Sequence, residues 1–167
     1  MAVTIARDGY GYVEPNHLSA PRNGQVYAQL PAAESIEVLQ NGMFVKYDYA
    51  AGECNFTGEG PWMMVFNEEK LYDERHQMHK DFAMTKEDAY NGVMVPRVFA
   101  MVPGDIFTTN MVDEAEYTVG DDLKVGTDGI LEKGEAAEGE HAFKVVKETT
   151  MPVSYTHLRA HETKANL

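Results

Sequence analysis

The second half of the chain alternates short apolar runs with tight-turn signals. The apolar runs are Val93 to Val102, Ile106 to Met111, Tyr117 to Val119, Leu123 to Val125 and Ile130-Leu131. Ala142 to Thr150 follows them and alternates, with Phe143, Val145 and Lys147 on one side and Lys144, Val146 and Glu148 on the other. The turn signals between them are Pro103-Gly104-Asp105, Gly120-Asp121 and Asp128-Gly129. Glycine and aspartate adopt the backbone conformations that tight hairpins require. This regular spacing of strand-like runs and turn residues therefore predicts closely spaced strands in a small β-barrel or sandwich.

The first half adds strands and at most one or two short helices. Met43 to Tyr49 alternates in polarity, and Trp62 to Phe66 is a compact apolar run, so both segments are predicted strands. Ile36 and Leu39 make a short helix from Ala32 to Gln40 possible. Asn67 to Asp81 is compatible with a longer helix capped by Asn67 or with an ordered loop. The predicted fold class is mainly β.

Residues 1–34 are interrupted by six glycines and prolines, which favours an extended N-terminal arm over a long helix or strand. The arm either lies on a neighbouring molecule or closes over its own domain. Aromatic side chains dominate the energetics of protein interfaces. The candidate partner-binding residues are therefore Tyr10, Tyr12, Val13 and Tyr27, each of which is equally compatible with local packing.

Composition excludes several classes of partner. The formal net charge is −13, with 27 acidic residues against 14 lysines and arginines. Nucleic acids and anionic membranes bind clustered basic residues, so neither is an expected partner. The longest apolar runs fall far short of the roughly 20 residues that a membrane-spanning helix needs. Cys54 is the only cysteine, so an intrachain disulfide is impossible.

The last fifteen residues resemble a translated sequencing adapter. The run Val-Ser-Tyr-Thr-His-Leu-Arg-Ala-His-Glu-Thr, from Val153 to Thr163, matches one reading frame of a transposase-type library adapter. Segments of this kind are set aside before fold reasoning. We therefore expect three parts: an arm over residues 1–34, a C-terminally truncated β-rich domain over 35–151, and a non-native tail over 152–167.

No complete catalytic or cofactor motif is present. His76 and His79 are three residues apart and are weak candidates for a metal site, but zinc needs three or four ligands. Cys54 has Glu53 and Glu59 as its nearest charges, which favours an unreactive thiol. We expect no catalytic residue, metal or cofactor. The alternative is a small enzyme or carbohydrate-binding module that uses the region of Trp62, His76 and His79.

Residues 92–150 resemble the small β-rich virion proteins of tailed bacteriophages, particularly capsid decoration or head-stabilising proteins. The resemblance is carried by three stretches: Val102-Pro103-Gly104-Asp105, Tyr117 to Val125, and Thr127 to Leu131. It covers about a third of the chain and transfers no catalytic residue. It implies a non-enzymatic structural protein that docks on capsid or other virion proteins, often as an oligomer, after assembly in the host cytoplasm. An adapter-derived tail indicates a sequence assembled from metagenomic DNA. Phage genes are plentiful in such DNA, so the tail fits this origin.

Overall fold

A computed structural model describes residues 3–4, 11, 13–18, 29–67, 83–87, 89–150 and 156–164. Seven strands lie in its N-terminal half: β1 (Val3–Thr4), β2 (Val13–His17), β3 (Val38–Gln40), β4 (Phe44–Asp48), β5 (Glu53–Asn55), β6 (Met63–Val65) and β7 (Ala83–Thr85). Seven follow a 3-10 turn at Tyr90–Gly92: β8 (Val98–Ala100), β9 (Ile106–Thr109), β10 (Glu116–Tyr117), β11 (Asp122–Val125), β12 (Leu131–Lys133), β13 (Ala142–Thr150) and β14 (Thr156–Lys164).

The mainly β class is confirmed, and the arrangement resembles a sandwich. Strands β5-β4-β6-β8 form one antiparallel sheet, and β12-β11-β13-β14-β9-β2 form a larger one. Two small pairs, β3-β7 and β1-β10, complete the described sheets. In the part of the chain that the structure describes, the sheets do not close into a barrel.

The four-stranded sheet is buried on both faces, which explains its dense apolar sequence. Phe44 and Met64 are register partners and belong to the core shared with the six-stranded sheet. The next register pair, Val45 and Met63, belongs to a second core. Residues that cover this second face are Ala33, Ile36, Leu39 and Met94. Burial on alternate sides follows from the two-residue period of a strand.

Three phenylalanines join the two large sheets. Phe44 lies 5.4 Å from Phe143 and 6.1 Å from Phe107 between ring centroids, and Phe107 meets Phe143 edge-on at 5.7 Å. All three side chains are almost fully buried. Aromatic pairs at these separations contribute about 0.5–1.5 kcal/mol each beyond their burial. This cluster is the centre of the first core.

The described parts of the predicted arm lie on the domain itself. Strand β1 pairs with β10, and β2 pairs with β9 at the edge of the six-stranded sheet. Pro15 lies within β2, which suits an edge strand because proline cannot donate a ladder hydrogen bond. Farther along, Cys54 donates its backbone N–H to the Pro31 carbonyl at 2.8 Å.

The adapter-like tail contributes a strand to the larger sheet. Strand β14 lies between β13 and β9 and pairs antiparallel with both. Ala160 is fully buried in the first core, opposite Phe107 and Val145. The sequence predicts strand β13 with the same bounds. Its edge on the β9 side is hydrogen-bonded to β14.

The predicted helix from Ala32 to Gln40 is wrong. This segment instead forms a turn and strand β3, which pairs with β7. Leu39 is fully buried and Val38 is exposed, so the side chains alternate as in a strand. The predicted longer helix, Asn67 to Asp81, lies outside the described residues beyond Asn67 itself.

Candidate docking surface

Of the four candidate partner-binding residues, only Val13 is among the residues that the structure describes. Tyr10, Tyr12 and Tyr27 are not among the described residues. Val13 lies in β2 opposite Thr109, with only 4% of its surface exposed. Its side chain belongs to the chain's own first core, so local packing accounts for its apolar character.

The Trp62 region is closed around the indole ring. Trp62 is 5% exposed, and the Lys46 ammonium lies 4.6 Å from the ring centroid. Lys46 is also paired with Glu140 at 3.1 Å. The indole N–H is buried and has no hydrogen-bond acceptor among the described residues. Because Lys46 covers the ring, a sugar has no open face of Trp62 on which to stack.

The histidine pair of the alternative interpretation, His76 and His79, lies outside the described residues. Within the described part of the chain, no group of three or more histidine, cysteine or acidic side chains is arranged to hold a metal ion. No helix in that part is both long enough and apolar enough to span a bilayer.

Cys54 is a thiol of the second core. It is fully buried in β5, and its Sγ lies 3.9 Å from the Leu30 carbonyl oxygen. Burial raises the pKa of the Cys54 thiol to about 11. The neighbouring Tyr47 is also buried, which raises the pKa of its phenol to about 12. Both groups are protonated at neutral pH, so neither supplies a nucleophile or a base there.

The described lysines are largely neutralised by the protein's own carboxylates. Five lysine–carboxylate pairs lie between 2.6 and 3.1 Å: Lys46–Glu140, Lys86–Glu37, Lys124–Glu132, Lys133–Asp121 and Lys144–Asp122. Exposed acids remain beyond these pairs, among them Glu34, Glu59, Glu114, Glu135 and Glu138. The surface therefore presents a surplus of negative charge.

An open cleft of about 330 Å³ lies where the end of β3 meets the turn between β11 and β12. Its apolar wall comes from four separate segments and consists of Ile36, Val38, Met43, Phe56, Met111 and Ile130. Glu37 and Asp128 add carboxylates to the same lining. Ligand pockets in proteins usually occupy roughly 300–1,000 Å³, so the cleft is at the small end of that range.

Two contacts fix the walls of this cleft. Phe44 donates its backbone N–H to the Gly129 carbonyl at 2.7 Å, which ties the Asp128-Gly129 turn to β4. On the opposite wall, Gly11 donates its N–H to the side-chain oxygen of Gln40. A Cβ atom at Gly11 would lie 2.7 Å from the Cβ of Gln40, so only glycine permits this approach. One wall is therefore held by a main-chain hydrogen bond and the other by a hydrogen bond from the main chain to the Gln40 side chain.

The acidic side of the cleft continues to Asp113. Burial raises the pKa of the Asp113 carboxyl, and the nearby charges of Glu132 and Asp128 raise it further. Tyr117, which is almost fully buried, donates its hydroxyl to the Asp113 carboxylate. A carboxyl whose pKa is raised by its neighbours marks a region of negative potential.

The sequence alone does not indicate this cleft. Its walls come from residues 35–43, Phe56, Met111 and residues 128–130, which only the tertiary structure brings together. The one local signal is the Asp128-Gly129 turn, which fixes the backbone near Asp128 but not what faces it. Comparisons with protein-family models, with curated proteins and with solved structures found no match.

Proposed function

We propose that this protein is a non-enzymatic structural component of a tailed-phage virion that docks on the capsid by protein–protein contacts. The observation that carries the proposal is the distribution of charge on the β-sandwich. Five of the described lysines are paired with the protein's own acids, while further acids remain exposed on the loops. Such a surface favours a basic protein partner over nucleic acid.

Docking of this kind would stabilise a shell by mass action. A protein that binds the assembled shell more tightly than its free subunits lowers the free energy of the assembled state. Complementary charge mainly raises the association rate and orients the encounter. The resemblance of residues 92–150 to decoration proteins supports this role, and the protein would then be found on the virion.

The enzyme or carbohydrate-binding alternative receives no support from Trp62. Its indole ring is buried in the first core and covered by Lys46. His76 and His79 remain as the basis of that alternative, and both lie outside the described residues.

Co-sedimentation with capsid shells tests the proposed function. The purified chain is mixed with shells assembled from a tailed-phage major capsid protein whose gene comes from the same DNA sample, at 0.05 and 0.5 M NaCl. We expect saturable binding to the shells, weaker binding to unassembled subunits, and a loss of affinity at high salt because charge pairs are screened. Failure to sediment with shells at either salt concentration would contradict the proposal.

A further inference from the structure

We infer that the cleft between β3 and the Asp128-Gly129 turn is the docking site for a lysine or arginine side chain of a basic partner protein. The inference rests on the proposed function for the identity of that partner. The kind of ligand follows from the residues that line the cleft and does not depend on the identity of the partner. It combines an apolar wall with carboxylates, a combination suited to a side chain that has an aliphatic stem and a cationic end.

The stem would lie against sulfur and aromatic groups. Met43 and Met111 line the cleft together with Phe56 and Ile130. Methionine is unbranched and polarizable, so it adapts to ligands of slightly different shape. The Phe56 ring adds a surface that attracts cations at its face. These residues favour a slender aliphatic chain over a bulky polar ligand.

The cationic end would be placed by Asp128. Asp128 lines the cleft from an exposed turn, where its Oδ1 accepts the Ile130 backbone N–H at 3.4 Å. Glu37 lines the cleft too, but its charge is shared with Lys86 at 3.1 Å. Asp128 is therefore the main contributor of negative charge to an incoming cation.

Small mimics of the side chains test the cleft directly. Chemical shifts of ¹³C-labelled methionine methyl groups are followed while n-butylguanidinium, n-butylammonium or n-butanol is added. Met43 and Met111 report on the cleft, and Met63 and Met64, buried in β6, serve as internal references. We expect saturable shifts of Met43 and Met111 with one or both cations, and much weaker binding of the neutral alcohol.

Two variants with the same change of charge assign the effect to Asp128. D128N keeps a residue suited to the turn and removes the carboxylate. E138Q removes one charge from an exposed loop residue that does not line the cleft. We expect D128N to weaken binding of the cation by about two- to fivefold, the loss expected when one solvent-exposed ion pair is removed, and E138Q to bind as the wild type does. Equal binding of alcohol and cations, no shift at Met43 and Met111, or unchanged cation binding in D128N would overturn the inference.

The shell experiment separates this inference from the proposed function. If wild type and D128N bind shells equally well, the cleft is not the docking site, although the proposed function stands. If the wild type does not bind shells but binds n-butylguanidinium in the cleft, the proposed function is contradicted and the inference of a cation site is supported. A selective loss of shell binding in D128N, with E138Q unaffected, would support both.

Discussion

At the scale of single residues, Gly129 shows how a turn is fitted to a neighbouring strand. Its φ is +79°, in the left-handed region that glycine adopts readily. A Cβ atom there would also collide with the Phe44 carbonyl oxygen and lie 2.7 Å from the Phe56 ring. Gly104 has a φ of +100° but no atom within 4 Å of the same Cβ position. A side chain at Gly104 would therefore meet backbone strain alone, whereas a side chain at Gly129 would meet both backbone strain and a steric clash.

We expect Gly129→Ala to destabilise the fold more than Gly104→Ala. Both substitutions introduce left-handed strain of about 1–2 kcal/mol, and G129A adds overpacking of about 1–3 kcal/mol against β4. The free energy of unfolding, measured by urea titration at neutral pH, checks the difference. Equal losses in the two variants would show that the turn moves away from Phe44 without resistance.

Cys54 and Tyr47 make the free energy of unfolding depend on pH in the alkaline range. Burial raises the thiol pKa from 9.0 to about 11 and the phenol pKa from 10.0 to about 12. Both groups are neutral when protonated, so the folded state holds these protons more tightly than the unfolded state. Their contribution is complete below about pH 9 and is lost as the pH rises through the folded pKa values.

We expect the free energy of unfolding to fall between pH 9 and 11 and Cys54→Ala to flatten that fall. The cavity left by the substitution lowers stability at every pH and leaves the slope as the informative quantity. Val98→Ala is the control, because it leaves a cavity in the same second core without removing a titrating group. Chemical unfolding at one-unit pH intervals provides the measurement. A slope in C54A identical to that of the wild type would count against a buried, protonated thiol.

At the scale of elements, strands with a regular alternation were predictable from sequence. Strand β13 was predicted with its full extent because Phe143 and Val145 alternate with charged residues. Strand β4 was predicted from the same signal. The β3 segment was mistaken for a helix because Ile36 and Leu39 are three residues apart, a spacing typical of a helical face. Its partner, β7, is more than forty residues away in the chain, and no local pattern reports such a contact.

The cleft was beyond prediction for the same reason. Met43, Phe56, Met111 and Asp128 lie far apart in the sequence, and each has an ordinary local role in a turn or a strand end. Only the packing of β3 and the β11–β12 turn onto β4 brings them together. The tyrosines predicted to bind a partner remain a prediction, since they lie outside the described residues.

At the scale of the whole molecule, two electrostatic effects oppose each other. A net charge of −13 produces self-repulsion in the folded state. The five lysine–carboxylate pairs oppose it, but their side chains are mostly solvent-accessible. Exposed pairs contribute only about 0–1 kcal/mol each. Repulsion among the surplus acids should therefore dominate.

We expect the melting temperature to rise when NaCl is increased from 0.01 to 0.2 M at pH 7. Over this range the screening length shortens from about 30 Å to less than 10 Å, which weakens repulsion between distant carboxylates more than attraction within contact pairs. Repeating the measurement near the isoelectric point of about 4.8 provides the control, because the net charge is then close to zero and the rise should largely disappear. A melting temperature that falls with salt at pH 7 would mean that the lysine pairs outweigh the surplus acids.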